Sequence, residues 1–215
     1  MKQLVIFDLD GTLLNTISDL GESCNYALEK MGFAQHPITA YNYMVGNGVR
    51  KLLERAQPDA SEETVDELLE HFRSHYNEHC TDTTVPYPGI EEMLHALVES
   101  KIDVAVATNK YQFAADKIIS YFFPDIKFAA VMGQIPERHV KPDPSIVFAI
   151  LNRRPSPKSD VLYCGDSAVD IETARRACIE SVGVTWGFRP VSELRKACAD
   201  HVVSNPQEIL KFTGI

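Results

Sequence analysis

The stretch Leu4-Val5-Ile6-Phe7-Asp8-Leu9-Asp10-Gly11-Thr12 decides how this chain folds. Its unbroken apolar run, Leu4 to Phe7, has the length of a strand buried on both faces. The run stops at two carboxylates two residues apart, followed by Gly and Thr. Ligand sites of open α/β sheets lie beyond the carboxyl ends of the strands, so Asp8 and Asp10 stand where chemistry is expected. Asp and Gly also favour turns, and a capped turn is the bland reading of the same residues.

Further apolar runs occur at Ile102–Ala107, Phe128–Val131, Val161–Cys164 and Ser181–Val184, with His201–Val203 as a sixth. Helical patterns flank most of them. Ile90, Met93, Leu94, Leu97 and Val98 keep helical spacing before the second run. Asp143-Pro144 supplies an N-cap and a first-turn proline ahead of Ile146–Leu151. Asn205-Pro206 repeats that signal, with Glu208 placed for a capping box. Strands alternating with helices predict an α/β fold with a Rossmann-like parallel sheet core.

Residues 16–82 break the alternation. Ile17, Leu20, Cys24, Leu28 and Met31 line one helical face, and Val65, Leu68, Leu69, Phe72 and Tyr76 line another. Thr81-Asp82-Thr83-Thr84 and Pro86-Tyr87-Pro88-Gly89 then read as linker and turn. The expected organisation is a core of residues 1–15 and 83–215 with a small inserted helical cap, residues 16–82.

The other predicted strands also end in polar groups. Thr108-Asn109-Lys110 follows the second, where a hydroxyl and helix-terminal N–H groups can bind phosphate oxygens; the plainer reading is a Thr N-cap. Lys141 precedes a helix between Val140 and Pro142, placed to clamp a phosphoryl group or simply to sit in solvent. Gly165-Asp166-Ser167-Ala168-Val169-Asp170 follows the fourth, with two carboxylates four apart that also suit a helix dipole. Each signal is modest alone, but all fall on one rim. Asp8, Asp10, Asp166 and Asp170 together suit a hard divalent cation such as Mg²⁺.

In order, Asp8-Leu9-Asp10-Gly11-Thr12, Thr108-Asn109, Lys141-Pro142 and Gly165-Asp166-Ser167 with Asp170 resemble the four motifs of the haloacid dehalogenase-like hydrolase superfamily. The resemblance implies that Asp8 forms a phospho-aspartate and that Asp10 acts first as acid and then as base. It implies Mg²⁺ at Asp8, the Asp10 carbonyl and Asp166, supported by Asp170. It implies Thr108 and Lys141 as holders of the phosphoryl oxygens, with Asn109 and Lys110 beside them.

The cap is expected to choose the substrate. Its segment Val45-Gly46-Asn47-Gly48-Val49-Arg50 is similar to the cap loop of phosphoglycolate phosphatases, as are Asp19-Leu20, Asn25, Ala27-Leu28 and Gly32. Gly46 and Gly48 allow close backbone approach, and Arg50 is a bidentate partner for a carboxylate or an exposed helix residue. The resemblance implies hydrolysis of 2-phosphoglycolate. Pyrophosphatase, sugar-phosphate phosphatase and β-phosphoglucomutase-like activities are the alternatives, with a non-catalytic binding module a different class. Ser18 in place of Pro, Asn15-Thr16 in place of Asp-Ser, and Cys178 in place of a helix-ending Gly depart from the subfamily pattern.

The resemblance implies a small phosphorylated metabolite as partner, for which a metal or local Lys/Arg must offset the acidic background. Among 215 residues the net charge is −9, which argues against nucleic acid. Cys24, Cys80, Cys164, Cys178 and Cys198 show no C-x-x-C spacing and read as reduced thiols of a cytoplasmic protein. The N-terminus does not read as a signal peptide, and no apolar stretch has the length of a membrane span. His71, His75 and His79 share a helix face at i, i+4 spacing, read as a solvated face rather than a metal site. The sequence does not choose between monomer and homodimer.

Overall fold

Alternation along each strand decides which side of the sheet a residue faces. In the computed structural model, which describes residues 1–215, strand β1 (Leu4–Phe7) sends Val5 and Phe7 into one apolar cluster and Leu4 and Ile6 into another. The fully buried four-residue strand is therefore apolar throughout, because both faces are covered.

Two short strands, β2 (Leu14–Asn15) and β3 (Val85–Pro86), pair antiparallel. Between them lie helix α1 (Ile17–Lys30), a 3₁₀ segment at Ile38–Tyr43, α2 (Val49–Ala56) and α3 (Glu62–His79). The chain thus leaves and re-enters the sheet through one paired ribbon. Asp19 reinforces this junction by accepting from the Thr83 and Thr84 backbone N–H groups at 3.0 and 2.9 Å and from the Thr84 hydroxyl at 2.7 Å. Asn25 holds the His36 backbone and the Tyr41 hydroxyl, bracing the turn after α1.

The remaining elements alternate: α4 (Ile90–Glu99), β4 (Asp103–Tyr111), α5 (Gln112–Phe122), β5 (Ala130–Gln134), α6 (Ser145–Arg153), β6 (Val161–Gly165), α7 (Ala168–Ala177), β7 (Glu180–Val184), α8 (Val191–Lys196), β8 (His201–Val203) and α9 (Gln207–Leu210). Six strands form one parallel sheet in the order β5-β4-β1-β6-β7-β8. The order reverses beside β1, and the crevice at this switch is where an open sheet binds ligands. The larger apolar cluster runs from this sheet face into the inserted helices through Leu13, Leu14, Leu20 and Phe72. The expected α/β core with an inserted helical cap is what the chain forms.

Two strands, β4 and β5, differ from expectation by more than one residue. The apolar run of the second predicted strand ends at Ala107, yet β4 continues to Tyr111, so Thr108, Asn109 and Lys110 lie in the strand. The pairing with β5 shifts register between Ala107 and Tyr111, and this irregularity re-aims the strand end at the rim. Tyr111, not Thr108, is the N-cap of α5. The strand expected at Phe128–Val131 starts two residues later and runs to Gln134, because the extended β4 supplies it with a longer partner. At the second proline signal, Glu208 reaches back to the Ser204 backbone N–H at 2.8 Å rather than to Asn205.

A candidate active site at the sheet rim

Asp8 follows β1 directly and is mostly buried. Its Oδ1 accepts from the Leu9 N–H at 2.7 Å and lies 2.9 Å from the Lys141 Nζ, while no protein group donates to Oδ2. Lys141 has a side chain only 1% exposed, and its ammonium also meets Asp170 Oδ1 at 2.7 Å and the Ala107 carbonyl at 2.9 Å. The reading of Lys141 as a solvated surface residue therefore falls. Asp170 is spoken for at both oxygens: Oδ1 by Lys141, and Oδ2 by the Ser167 hydroxyl at 2.6 Å and backbone N–H at 3.2 Å. This capping box opens α7 and aims its first turn at Asp8. The approach is so close that a Cβ on Gly165 would lie 2.2 Å from the Asp170 Cβ.

Asp8, Asp166 and Asp170 place one carboxylate oxygen each within 4.8 Å of one another. One ammonium faces them, so negative charge is in excess in a dry place. Burial, and then the Asp170 charge, push the Asp8 carboxyl up to about 7. Asp166 is raised well above the ordinary carboxylate range, first by burial and then by the Asp170 and Asp8 charges. A divalent cation would relieve both penalties, and an all-oxygen donor set suits Mg²⁺. Asp166 is presented by a hydrogen bond from the Phe188 N–H at 2.7 Å. Gly11, at φ +84°, and Gly187 both approach it so closely that a Cβ on either would collide with its side chain.

Asp10 is held apart from this cluster. Its carboxylate accepts from the Thr16 hydroxyl at 2.7 Å and pairs with the Lys110 Nζ at 2.8 Å. Lys110 in turn sits 4.8 Å over the Tyr76 ring of α3, so the cap covers it. The Thr108 hydroxyl accepts from the Lys110 N–H at 3.2 Å and finds no protein acceptor for its own proton. Asn109 organises more than it lines: it donates to the carbonyls of Gly46 and Lys141, at 2.9 and 3.2 Å, and accepts from the Lys141 N–H at 2.7 Å.

These groups surround a cavity of about 40 Å³ lined by Asp8, Asp10, Thr108, Asn109, Lys110 and Asp166 from the core and by Val45, Gly46, Gly48, Val49, Leu52 and Tyr76 from the cap. Two expected cap residues are elsewhere. Arg50 does not line the cavity; its side chain is 43% exposed and paired with Asp66 of α3, because the first turn of α2 points it outward. Asn47 accepts from Arg55 at 2.7 Å, which turns it along the cap surface. His71 is likewise not drawn into a metal group: the His75 and His79 rings stack at 4.3 Å, and each bonds elsewhere, to Ser23 and Asp82.

Phe188 and Arg189 also line the cavity and were not anticipated. They follow β7, so the rule that found the other rim residues, applied to the fifth predicted strand, points to them as well.

Comparison with known proteins places the chain in a family. The profile of the haloacid dehalogenase-like hydrolase family matches residues 5–184. The phosphoglycolate phosphatase of Agrobacterium fabrum is 33% identical over 195 residues, covering 89% of this chain and 84% of that protein. That of Aquifex aeolicus is 30% identical and covers 98% and 96%. A crystal structure described as a predicted phosphoglycolate phosphatase of Haemophilus somnus superposes with a TM-score of 0.92 at 28% identity, covering 99% of this chain and 98% of that one. The match spans all four rim motifs from Asp8 to Asp170, and the chain belongs to the haloacid dehalogenase-like hydrolase family.

Proposed function

We propose that this protein is a Mg²⁺-dependent phosphatase that hydrolyses a small phosphate monoester, 2-phosphoglycolate foremost, through a phospho-aspartate on Asp8. The observation that carries the reading is the unpartnered Asp8 Oδ2 on a small, partly open cavity that a second carboxylate, Asp10, also lines. The phosphoglycolate phosphatases among its relatives support the substrate.

In the first half of the reaction Asp8 Oδ2 attacks phosphorus, the bond to the ester oxygen breaks, and Asp10 gives that oxygen a proton. In the second half water attacks the phosphorus of the acyl phosphate, Asp10 takes the water's proton, and the Asp8 carboxylate returns. Thr108 donates its free hydroxyl proton to a phosphoryl oxygen. Lys141 fixes Asp8 and offsets its charge. An arriving phosphoryl group competes with Asp10 for the Lys110 ammonium, which frees Asp10 for its acid role. Asp8, the Asp10 carbonyl and Asp166, with Asp170 in support, would hold Mg²⁺, which would supply positive charge to offset that of the phosphoryl group. Residues 16–82 close as a unit over the ester, and the reduced thiols suit a cytoplasmic enzyme.

Phosphate release from 2-phosphoglycolate, sugar phosphates, pyrophosphate and an aryl phosphate, with Mg²⁺ and with chelator, tests this. A lead of orders of magnitude in kcat/KM for 2-phosphoglycolate, abolished by chelator, is expected. A lead for another ester overturns the substrate and keeps the class. No release from any of them overturns the phosphatase.

A further inference from the structure

Among the cations that line the cavity, Lys110 is matched by Asp10 and Arg189 is not matched by any carboxylate at hydrogen-bond distance. The Arg189 side chain is 14% exposed, and its Nε lies 3.9 Å from Glu193 Oε2. Glu193 is itself engaged at the start of α7, where its Oε1 accepts from the Ala168 N–H at 3.0 Å. The guanidinium spends one donor on the Val45 carbonyl of the cap at 3.0 Å and stacks over the Tyr43 ring, 5.4 Å from its centroid. A guanidinium has five N–H donors in a fixed fork, so most of this fork is left for something else. A mostly buried cation with spare donors is unfavourable unless an anion arrives.

The neighbours say where that anion sits. A Cβ on Gly46 would lie 3.9 Å from Arg189 Nη2, an ordinary contact distance, so the cap loop runs directly beside the guanidinium. The cavity is small, and the same walls enclose Asp8 and Arg189. An anion at Arg189 therefore belongs to the short leaving part of the ester whose phosphoryl group meets Asp8. The excess of carboxylates at Asp8, Asp166 and Asp170 disfavours a second anionic group on that side of the cavity.

We propose that Arg189, carried by the core loop after β7, is the specificity residue that reads a carboxylate on the leaving group, and that Arg50 of the cap has no part in this. The inference rests on the phosphatase reading for its kinetic form.

The test uses a matched pair, 2-phosphoglycolate and 2-hydroxyethyl phosphate, which differ chiefly in a carboxylate against a neutral hydroxyl. Arg189→Ala is expected to lower kcat/KM for 2-phosphoglycolate about 100-fold, mostly through KM, and to change the neutral ester by less than about threefold. Arg189→Lys is expected to restore about tenfold of the loss on the carboxylate alone. Arg50→Ala is expected to leave both substrates as they are. Equal losses on both esters overturn the proposal and leave Arg189 as a cap latch. A wild-type enzyme that does not prefer the carboxylate overturns it as well. Calorimetric binding of 2-phosphoglycolate to Asp8→Asn and to the Asp8→Asn, Arg189→Ala double variant separates the two readings. Binding that weakens on loss of Arg189, while the wild-type protein releases phosphate from none of the esters, upholds the carboxylate site and removes the phosphatase. Equal binding overturns the site.

Discussion

The sheet rim and the cap are held together in different ways. At the rim, Asp8, Lys141, Asp170 and Ser167 form a buried chain of charge-assisted hydrogen bonds in which nearly every atom has a fixed partner. The cap meets that rim through few polar contacts. Asn109 and Arg189 donate to the carbonyls of Gly46 and Val45, the Tyr111 hydroxyl donates to Asn77 at 2.6 Å, and Lys117 donates to the Asn77 carbonyl at 2.5 Å. The rim is pre-organised for charge, and the cap is joined to it by few bonds. Chemistry and specificity should therefore fail separately when each is cut.

The largest effect is expected at the rim. Asp8→Asn removes the charged nucleophile from a site whose other bonds survive, and we expect phosphate release to fall by at least about 10³-fold with an unchanged circular dichroism spectrum. Appreciable turnover by the folded variant would break the assignment of Asp8.

Lys141→Met should cost both activity and stability. It leaves Asp8 and Asp170 facing each other in a buried place with no ammonium between them, at a cost of about 3–5 kcal/mol. Urea unfolding checks this, and a loss below about 1 kcal/mol would show that water reaches the pair.

The raised Asp8 carboxyl gives a pH signature for the metal-free protein. Its ordinary value is 3.8 and its folded value about 7. Between these the folded state holds more protons than the unfolded one, so the Asp8 contribution to stability falls as pH rises through that window. Mg²⁺ must displace a proton at pH 5 and meets a ready carboxylate at pH 8. It should raise Tm more at pH 8, and equal shifts at the two pH values would detach Asp8 from the metal.

The smallest effect lies far from both regions. Cys178 closes α7 in the left-handed conformation at φ 58°, where a side chain is strained and glycine is not. Cys178→Gly should stabilise by about 0.5–1 kcal/mol in urea melts, with kcat/KM unchanged.

The legible parts of the site were those with a local cause. Each apolar run marked a strand, each strand end or the loop beyond it marked a rim position, and Asp8, Asp10, Thr108, Lys141, Asp166 and Asp170 were assigned to the rim by that rule. Thr108 was first legible as a helix cap because the polar end of β4 carries no strand pattern; it is a strand residue only through its pairing with β5. Arg50 looked like the carboxylate reader because it follows a glycine loop. Nothing local to Val49-Arg50-Lys51 says that Asp66, on the next helix, draws it outward.

By itself the sequence determined the parallel α/β core, the inserted helices and the acidic rim, since strand length, helical period and motif spacing are written over a few residues each. The tertiary structure alone decided that Lys141 is buried between two carboxylates, that Lys110 pairs with Asp10, and that Arg189 faces the cap loop. Those are contacts between residues 29 to 144 positions apart, and only packing brings such groups within reach of one another.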